Sequence, residues 1–542
     1  MQSFARLLDQ LATTPSRNRK LVLLSHYLTS TPDPDRGYAL AALTDGLGLS
    51  IPLRRILPDL IAGSIDPDLY RMSRDYVGDT AETVSLLWQP RAARHPGPIR
   101  STRLADVVDA FTAADQKQVP LLLAALLDDL DISGRFALLK LIGGAPRVGV
   151  SARLAKTALA EAYGTPVADI EEIWHALDRP YLALFDWLEG RGPRPDPGRR
   201  PVFRPMMLAH PVEAEDWPGL APASLLAEWK WDGIRVQASA RAGEMRLFSR
   251  TGDDISAAFP EIASAFLGRD CIADGELLVM RDGVVAPFND LQQRLNRRTV
   301  SLRMLRDYPA HVRLYDLLEL DGEDLRPLPF EERRRRLEDW HARAAPALTD
   351  VSPLVPFAAF ADLEALWSGA RAAGIEGLML KERASPYLGG RPKGHWWKWK
   401  RSAQTLDCVL MYAQRGSGKR SSFYSDYTFG LWRQAPAAAE AREPAAAGEL
   451  VPVGKAYSGF TDAELRELDK FIRNNTTDRF GPVRAVRPAL VLEVAFDALQ
   501  RSSRHKSGLA MRFPRIARIR WDKPAAEADT LEAAVKLLPE GA

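Results

Sequence analysis

The stretch LLAEWKWDGIRVQASA, Leu225 to Ala240, decides how the middle of this chain is read. Apolar and polar residues alternate on both sides of Asp232-Gly233, as they do in strands with one buried face, and Asp-Gly is a favoured two-residue turn. The plain reading is a β-hairpin. The chemical reading takes Lys230, with Glu228 two residues before it and Arg235 just past the turn, as a nucleophile.

Outward from this stretch, short β-type runs such as EMRLFSR and CIADGELLVM alternate with helical segments such as PFEERRRRLEDWHARAA. That mixture predicts an α+β domain over residues 203–401. Before it, Gly190 to Arg200 (GRGPRPDPGRR) suits neither helix nor sheet, so a linker is placed at 191–202. Residues 1–190 read as helices: Phe4, Leu7, Leu8 and Leu11 recur at helical spacing, as do apolar residues in LLLAALLDDL and ARLAKTALAEAY. After residue 401, LDCVLMYA, SFYSDYTFGLW and ALVLEVAFDAL read as short strands around turns, which suggests an oligonucleotide-binding (OB-fold) β-barrel over 402–542. Ala435 to Gly448 is low-complexity Ala, Pro and Glu, an exposed loop insertion. The expected architecture is multidomain: all-α, then α+β, then β-barrel.

Composition narrows the class. A chain of 542 residues is too long for one core, and 46% hydrophobic with 26% charged is globular. The 73 basic and 70 acidic side chains nearly cancel to +3, so an argument for nucleic acid rests on where the charges sit. Two distant cysteines, Cys271 and Cys408, exclude a disulfide framework and a Cys-rich zinc module. The opening MQSFARLLDQLATT is an amphipathic pattern rather than a targeting leader, and no apolar run approaches the ~20 residues that span a bilayer. A soluble cytoplasmic protein without a membrane partner is expected.

The chemical reading of Lys230 gains support from the motifs farther along the chain. Ser249-Arg250, Asp274-Gly275-Glu276, Tyr315-Asp316, Glu376 to Lys381 (EGLMLK) and Trp397 to Lys400 (WKWK) come in that order, each at the end of a strand-like run. Alone, an Asp-Gly-Glu is a turn and a Tyr is core. The ordered set resembles the motif series of the covalent nucleotidyltransferases, comprising DNA ligases, RNA ligases and mRNA capping enzymes. Such a site has clear chemical needs. A lysine that attacks an α-phosphate must be neutral, which at pH 7 costs about 4.6 kcal/mol from the ordinary lysine value. Desolvation and nearby cations supply it. Arginines, lysines and Mg²⁺ must neutralise charge building on the phosphate, and carboxylates must hold the metal.

The resemblance implies a role for each position. Lys230 is adenylylated, Glu228 reads the adenine amine, and Arg235 and Arg250 contact ribose or phosphates. Glu276 and Glu376 serve the metal and ribose, Tyr315 stacks on the purine, and Lys398 and Lys400 reach the phosphates. The family often has an arginine closer to the first of these lysines, where this chain has Pro392; Arg391 is the nearest candidate. The run Arg333 to Arg336 reads as a solvated helix face and receives no function. Arg415 to Ser421 (RGSGKRS) is no P-loop: that pattern needs Gly where Ala413 stands and Ser or Thr where Arg420 stands. It is read as a basic hairpin loop.

The C-terminal segment chooses among the superfamily's members. Arg512-Phe513-Pro514-Arg515 followed by Arg518, Arg520, Asp522 and Lys523 closely resembles the last motif of ATP-dependent DNA ligases. In that family the motif sits on the barrel and orients the leaving pyrophosphate, which implies that role for Arg512, Arg515, Arg518, Asp522 and Lys523. Val453 to Thr461 has the look of the same barrel. Phe136 to Lys140, through Gly149 and the helix after Ser151, resembles the DNA-binding domain of larger ligases. Arg147-Val148-Gly149 stands at a turn before a helix, where backbone amides and an arginine grip phosphates; a plain helix–loop–helix corner is the alternative. NAD-dependent ligases carry a four-cysteine zinc module that two cysteines cannot build, so ATP is the expected nucleotide.

The resemblance therefore implies an ATP- and Mg²⁺-dependent enzyme of three domains, bacterial in composition, that seals 3′-hydroxyl/5′-phosphate nicks in duplex DNA. It is expected to work as a monomer. A hinge at Arg401 to Ala403 would let the barrel swing between closed and DNA-encircling positions. The readings kept beside this one are an RNA ligase, a capping-type enzyme, and an inactive nucleic-acid-binding module.

Overall fold

A computed structural model describes residues 1–44, 46–49, 51–62, 65–90, 102–144, 146–295, 297, 299–368, 375–400, 404–416, 424–434, 448–457, 461–502 and 505–538. Its contacts divide the chain into two compact units, Met1–Ala155 with Ser402–Ala542, and Lys156–Arg401. The expected hinge, most of the low-complexity insertion and most of the basic loop after Gly416 lie outside the described residues.

The N-terminal region is helical, and among the described residues no strand precedes His210. The first helix, Gln2–Thr13, buries Phe4, Leu7, Leu8 and Leu11, the stripe its spacing predicts. Asp66, Asp79 and Asp131 cap later helices by accepting from the backbone N–H three residues on. The helix Ile132–Ile142 is buried along most of its length, Arg135 included, whose guanidinium donates to the carbonyls of Leu127 (2.6 Å) and Trp88 (3.2 Å). The turn Arg147 to Gly149 precedes the helix Ala152–Tyr163, as the sequence predicts. Buried Lys20 donates to the carbonyls of Val148 (2.8 Å) and Gly149 (2.9 Å), while the Arg147 side chain is exposed.

Residues from Lys156 onward group with the strand-bearing unit. There Glu172 accepts from Arg326 (2.7 Å), and His175 packs on Phe248, with ring centroids 4.6 Å apart. The Gly- and Pro-rich stretch 191–202 forms neither helix nor strand, yet it is anchored: Arg200 donates to the Ala176 carbonyl at 2.8 Å, and the Val202 N–H to Ser239 Oγ at 3.1 Å.

Among the described residues the strands of this unit form two sheets. We number the main ones β1 (Leu225–Trp231), β2 (Ile234–Arg241), β3 (Glu244–Ser249), β4 (Cys271–Arg281), β5 (Ala310–Leu320), β6 (Ile375–Glu382) and β7 (Trp396–Lys400). One sheet runs β7-β6-β1, flanked by the short strands His210–Pro211 and Leu354–Val355; the other runs β3-β2-β4-β5. Apolar residues of the second sheet, among them Val236, Leu247, Leu277 and Leu314, pack with Leu337 and Trp340 of the helix Phe330–Ala344 and with Phe259, which precedes the helix Pro260–Phe266.

In the C-terminal region the long strand β8 (Gln404–Arg415) pairs with β9 (Tyr424–Trp432) and β9 with β10 (Leu450–Ala456). Two further strands divide the other edge of β8: β11 (Val483–Val486) covers its end and β12 (Val491–Phe496) its beginning. Then come β13 (Ala498–Arg501), β14 (Leu509–Arg512) and β15 (Arg515–Arg520), the last paired with β12. Because β8 and β9 are antiparallel neighbours, the RGSGKRS segment joins two strands, in keeping with its rejection as a P-loop. Cys271 and Cys408 are both free and buried. Among the described residues no helix is long and apolar enough to cross a membrane.

Candidate active site

The Asp232-Gly233 turn is not the tip of a hairpin. β1 hydrogen-bonds β6 in one sheet, whereas β2 hydrogen-bonds β3 and β4 in the other. The turn carries the chain from sheet to sheet, so alternation alone misidentified the partner strands. Gly233 is required there: a Cβ would lie 2.5 Å from the Leu277 carbonyl oxygen and 2.8 Å from Glu276 Cγ.

Register gathers the basic groups. Glu228 and Lys230 stand opposite Met379 and Gly377 of β6, which stand opposite Lys398 and Lys400 of β7. Cross-strand partners share a face, so all four charged side chains emerge on one side of the sheet. Glu376 joins them by an irregularity. It is the extra residue of a bulge between Ile375 and Gly377, and a bulge re-aims a side chain that strict alternation would send to the other face. Its carboxylate accepts from Lys230 Nζ and lies 3.1 Å from Lys400 Nζ. Burial acts to raise the Glu376 pKa, but the two lysines overcome it and hold the carboxyl well below the ordinary carboxylate range.

The second sheet supplies the rest. Glu276 of β4 is the cross-strand partner of Arg235. Burial lifts the Glu276 carboxyl to about 8 despite Lys230 and Arg235, and Glu376 and Asp232 add to the rise. Tyr315 is also the extra residue of a bulge, since Asp316 opposes Asp274 while Leu314 opposes Gly275. The Arg235 guanidinium lies 5.7 Å from its ring centroid, and Lys381 Nζ 4.8 Å. Arg235 itself is clamped by the protein: it donates to Asp274 Oδ2 (2.6 Å), the Tyr387 hydroxyl (3.1 Å) and the Met207 carbonyl (2.5 Å).

The remaining cations crowd together. Burial lowers the Lys398 pKa, and Arg391, Lys400, Lys230 and Arg250 lower it further. Burial lowers that of Arg250 as well, aided by Arg235 and Arg391. Arg391 thus belongs to the cluster although Pro392 follows it; Gly390 before it exchanges backbone hydrogen bonds with Met206 (3.0 Å) and Leu208 (2.6 Å). So much like charge at close range is a cost in a folded protein unless an anion joins it. A polyphosphate fits.

A divalent cation fits too. Among the described residues no three His, Cys, Asp or Glu side chains gather into a cage. Mg²⁺ takes one or two carboxylates together with substrate phosphates and waters, so the neighbouring carboxyls of Glu276 and Glu376 suffice. A carboxyl held near 8 by burial beside other acids is a group whose charge a cation would stabilise.

The Arg333 to Arg336 run is only half solvated, unlike the exposed helix face expected from the sequence. Arg335 and Arg336 form helix-surface pairs with Glu332, but Arg333 and Arg334 are buried. Arg333 grips Asp316 with two nitrogens, at 2.9 and 3.0 Å, both residues fully shielded from solvent. Arg334 donates to Glu228 Oε1 at 2.6 Å, and Lys381 ion-pairs the other Glu228 oxygen. The signal was present: Phe330, Leu337 and Trp340, all buried, mark the inward stripe of this helix, and positions 333 and 334 fall on it.

The C-terminal candidates belong to the other compact unit. Arg512 ends β14, Arg515 and Arg518 lie on β15, and Asp522 and Lys523 come after it. Asp522 accepts from Arg520 at 2.9 Å, and Lys523 donates to Asp407 at 2.7 Å.

Comparison with known proteins covers the residues of this site. Residues 206–400 match the ATP dependent DNA ligase domain, and residues 424–523 the ATP dependent DNA ligase C terminal region. A probable DNA ligase of Koribacter versatilis is 32% identical over 581 residues, covering 99% of this chain and 96% of that protein. DNA ligase 1 of Korarchaeum cryptofilum is 30% identical, with 98% and 97% covered. A solved structure described as Pmar-Lig_Pre. covers 96% of this chain and 99% of its own with a TM-score of 0.59; at 16% identity the likeness concerns the fold. The chain belongs to the ATP-dependent DNA ligases.

Proposed function

We propose that this protein seals 3′-hydroxyl/5′-phosphate nicks in duplex DNA, consuming ATP through an adenylate on Lys230. The observation that carries the reading is the placement of Lys230 Nζ against Glu376, within a cluster that includes Lys398, Lys400, Arg250 and Arg391. The amine attacks the α-phosphate and expels pyrophosphate. The 5′-phosphate of the nick then takes the AMP from Lys230, and the 3′-hydroxyl displaces it to form the phosphodiester. For the first step Nζ must leave Glu376. Phosphates bound to the basic cluster bring the reacting centre to it, while Glu276 and Glu376 hold Mg²⁺ or the ribose. Bound Mg²⁺ supplies charge neutralisation at the phosphate oxygens.

In this reading Tyr315 stacks on the adenine and Glu228 accepts from its amine. Arg235, engaged by Asp274, acts beneath the nucleotide. Residues 1–190 bind duplex DNA, 203–401 perform the adenylylation and 402–542 form the OB-fold barrel. On that barrel Arg512, Arg515, Arg518, Asp522 and Lys523 orient the pyrophosphate. The enzyme works as a cytoplasmic monomer. Incubation with α-labelled ATP and Mg²⁺, followed by a denaturing gel, tests the first step: acid-labile label on the wild type and none on Lys230→Ala is expected. Sealing of nicked DNA but not nicked RNA by the same preparation tests the substrate.

A further inference from the structure

Glu228 is nearly inaccessible, and each of its two carboxylate oxygens is met by a buried cation. Arg334 reaches Oε1 at 2.6 Å. Its other nitrogens donate to the Ser352 carbonyl and, at 2.7 Å, to Glu338, so the guanidinium is fixed from three sides. Lys381 reaches Oε2, and its Nζ lies 4.8, 4.4 and 4.5 Å from the ring centroids of Tyr315, Phe330 and Trp396. One buried ammonium therefore touches both the carboxylate and the aromatic ring assigned to the base.

We infer that Arg334 and Lys381 are positioning residues that make Glu228 an acceptor-only edge, and thereby set the enzyme's preference for a base carrying an amino group at its 6-position. The inference rests on the reading of Glu228 as the adenine contact. An ionised carboxylate has about four lone-pair sites and no proton to donate. The two cations occupy one site on each oxygen and fix the plane of the group, leaving acceptor sites of fixed direction. Such an edge pairs with the 6-amino group of adenine and opposes the 6-carbonyl oxygen of guanine, itself an acceptor. Without Arg334 only Lys381 holds the carboxylate and its plane is no longer fixed, so the discrimination should fall even where the enzyme still reacts.

The test is nucleotide selectivity in lysine adenylylation, measured as kcat/KM for ATP against GTP and against purine riboside triphosphate, which lacks the 6-amino group. Wild type should prefer ATP over purine riboside triphosphate by roughly 10- to 100-fold, the worth of a hydrogen bond to a charged group. Arg334→Met should narrow that ratio to within about 3-fold, and Arg334→Lys, which conserves the charge but cannot hold three partners, should fall between. In a Glu228→Ala background, Arg334→Met should leave the ratio unmoved. Circular dichroism and thermal unfolding of each variant establish that it is folded. If Arg334→Met and Arg334→Lys slow all nucleotides equally and keep the wild-type ratio, the arginine is merely structural and the inference is overturned. If wild type shows no preference for the 6-amino group, the reading of Glu228 fails first, and the inference falls with it.

Discussion

Lys230 Nζ donates to the carboxylate of Glu376, a residue aimed at it by a bulge in the neighbouring strand. In the proposed reaction this contact holds the attacking amine on the group assigned to the metal and ribose, and the amine must leave it once ATP is bound.

Glu376→Gln keeps the shape of the side chain but removes the charge that would hold a cation. Single-turnover labelling at saturating ATP and Mg²⁺ should show lysine adenylylation slowed by about 10²-fold or more, the scale expected when one group that supports charge neutralisation in the transition state is lost. Wild-type rates in this variant would remove Glu376 from the chemistry.

Glu276 gives a pH signature. Its carboxyl is held at about 8 in the fold, above the ordinary carboxylate value. The folded state therefore binds the proton more tightly, and the resulting stabilisation is full below the ordinary value and is lost as pH rises through about 8. Thermal unfolding of the nucleotide-free protein should show Tm falling between about pH 6 and pH 9, by more in wild type than in Glu276→Gln. Parallel curves for the two proteins would contradict the assignment.

The arginine run offers a contrast within one helix. Arg333→Leu leaves Asp316 charged and buried, a change that typically costs about 3–5 kcal/mol. Urea denaturation should show a large drop in midpoint for Arg333→Leu and none for Arg335→Ala, whose side chain is exposed. Equal midpoints would mean that the buried pair does not form.

Much of this was legible in the sequence. The strand-like runs around Glu244–Ser249 and Cys271–Arg281 are strands, the helix Phe330–Ala344 was expected, and the ordered motifs fall on one compact unit. What alternation could not give is strand pairing. Asp232-Gly233 reads as a hairpin because the strands on either side look alike, and only the pairing of β1 with β6 reveals the crossing. Tyr315 and Glu376 owe their direction to bulges, one extra residue each, and nothing in a two-residue period marks them. Arg334 was missed for another reason: a run of four arginines looks solvated until the helical period is laid over it.

The C-terminal arginine makes a separable prediction. If Arg512 orients the leaving pyrophosphate, Arg512→Ala should impair lysine adenylylation more than sealing of pre-adenylylated nicked DNA. Equal losses in both assays would count against that role.

The most direct measurement is mass spectrometry of the peptide containing Lys230, taken from protein incubated with ATP and Mg²⁺ but no DNA. One adenylyl group is expected on the Lys230 amine, lost again when nicked DNA carrying a 5′-phosphate is added. An unmodified Lys230, or an adenylyl group on a different side chain, would contradict it.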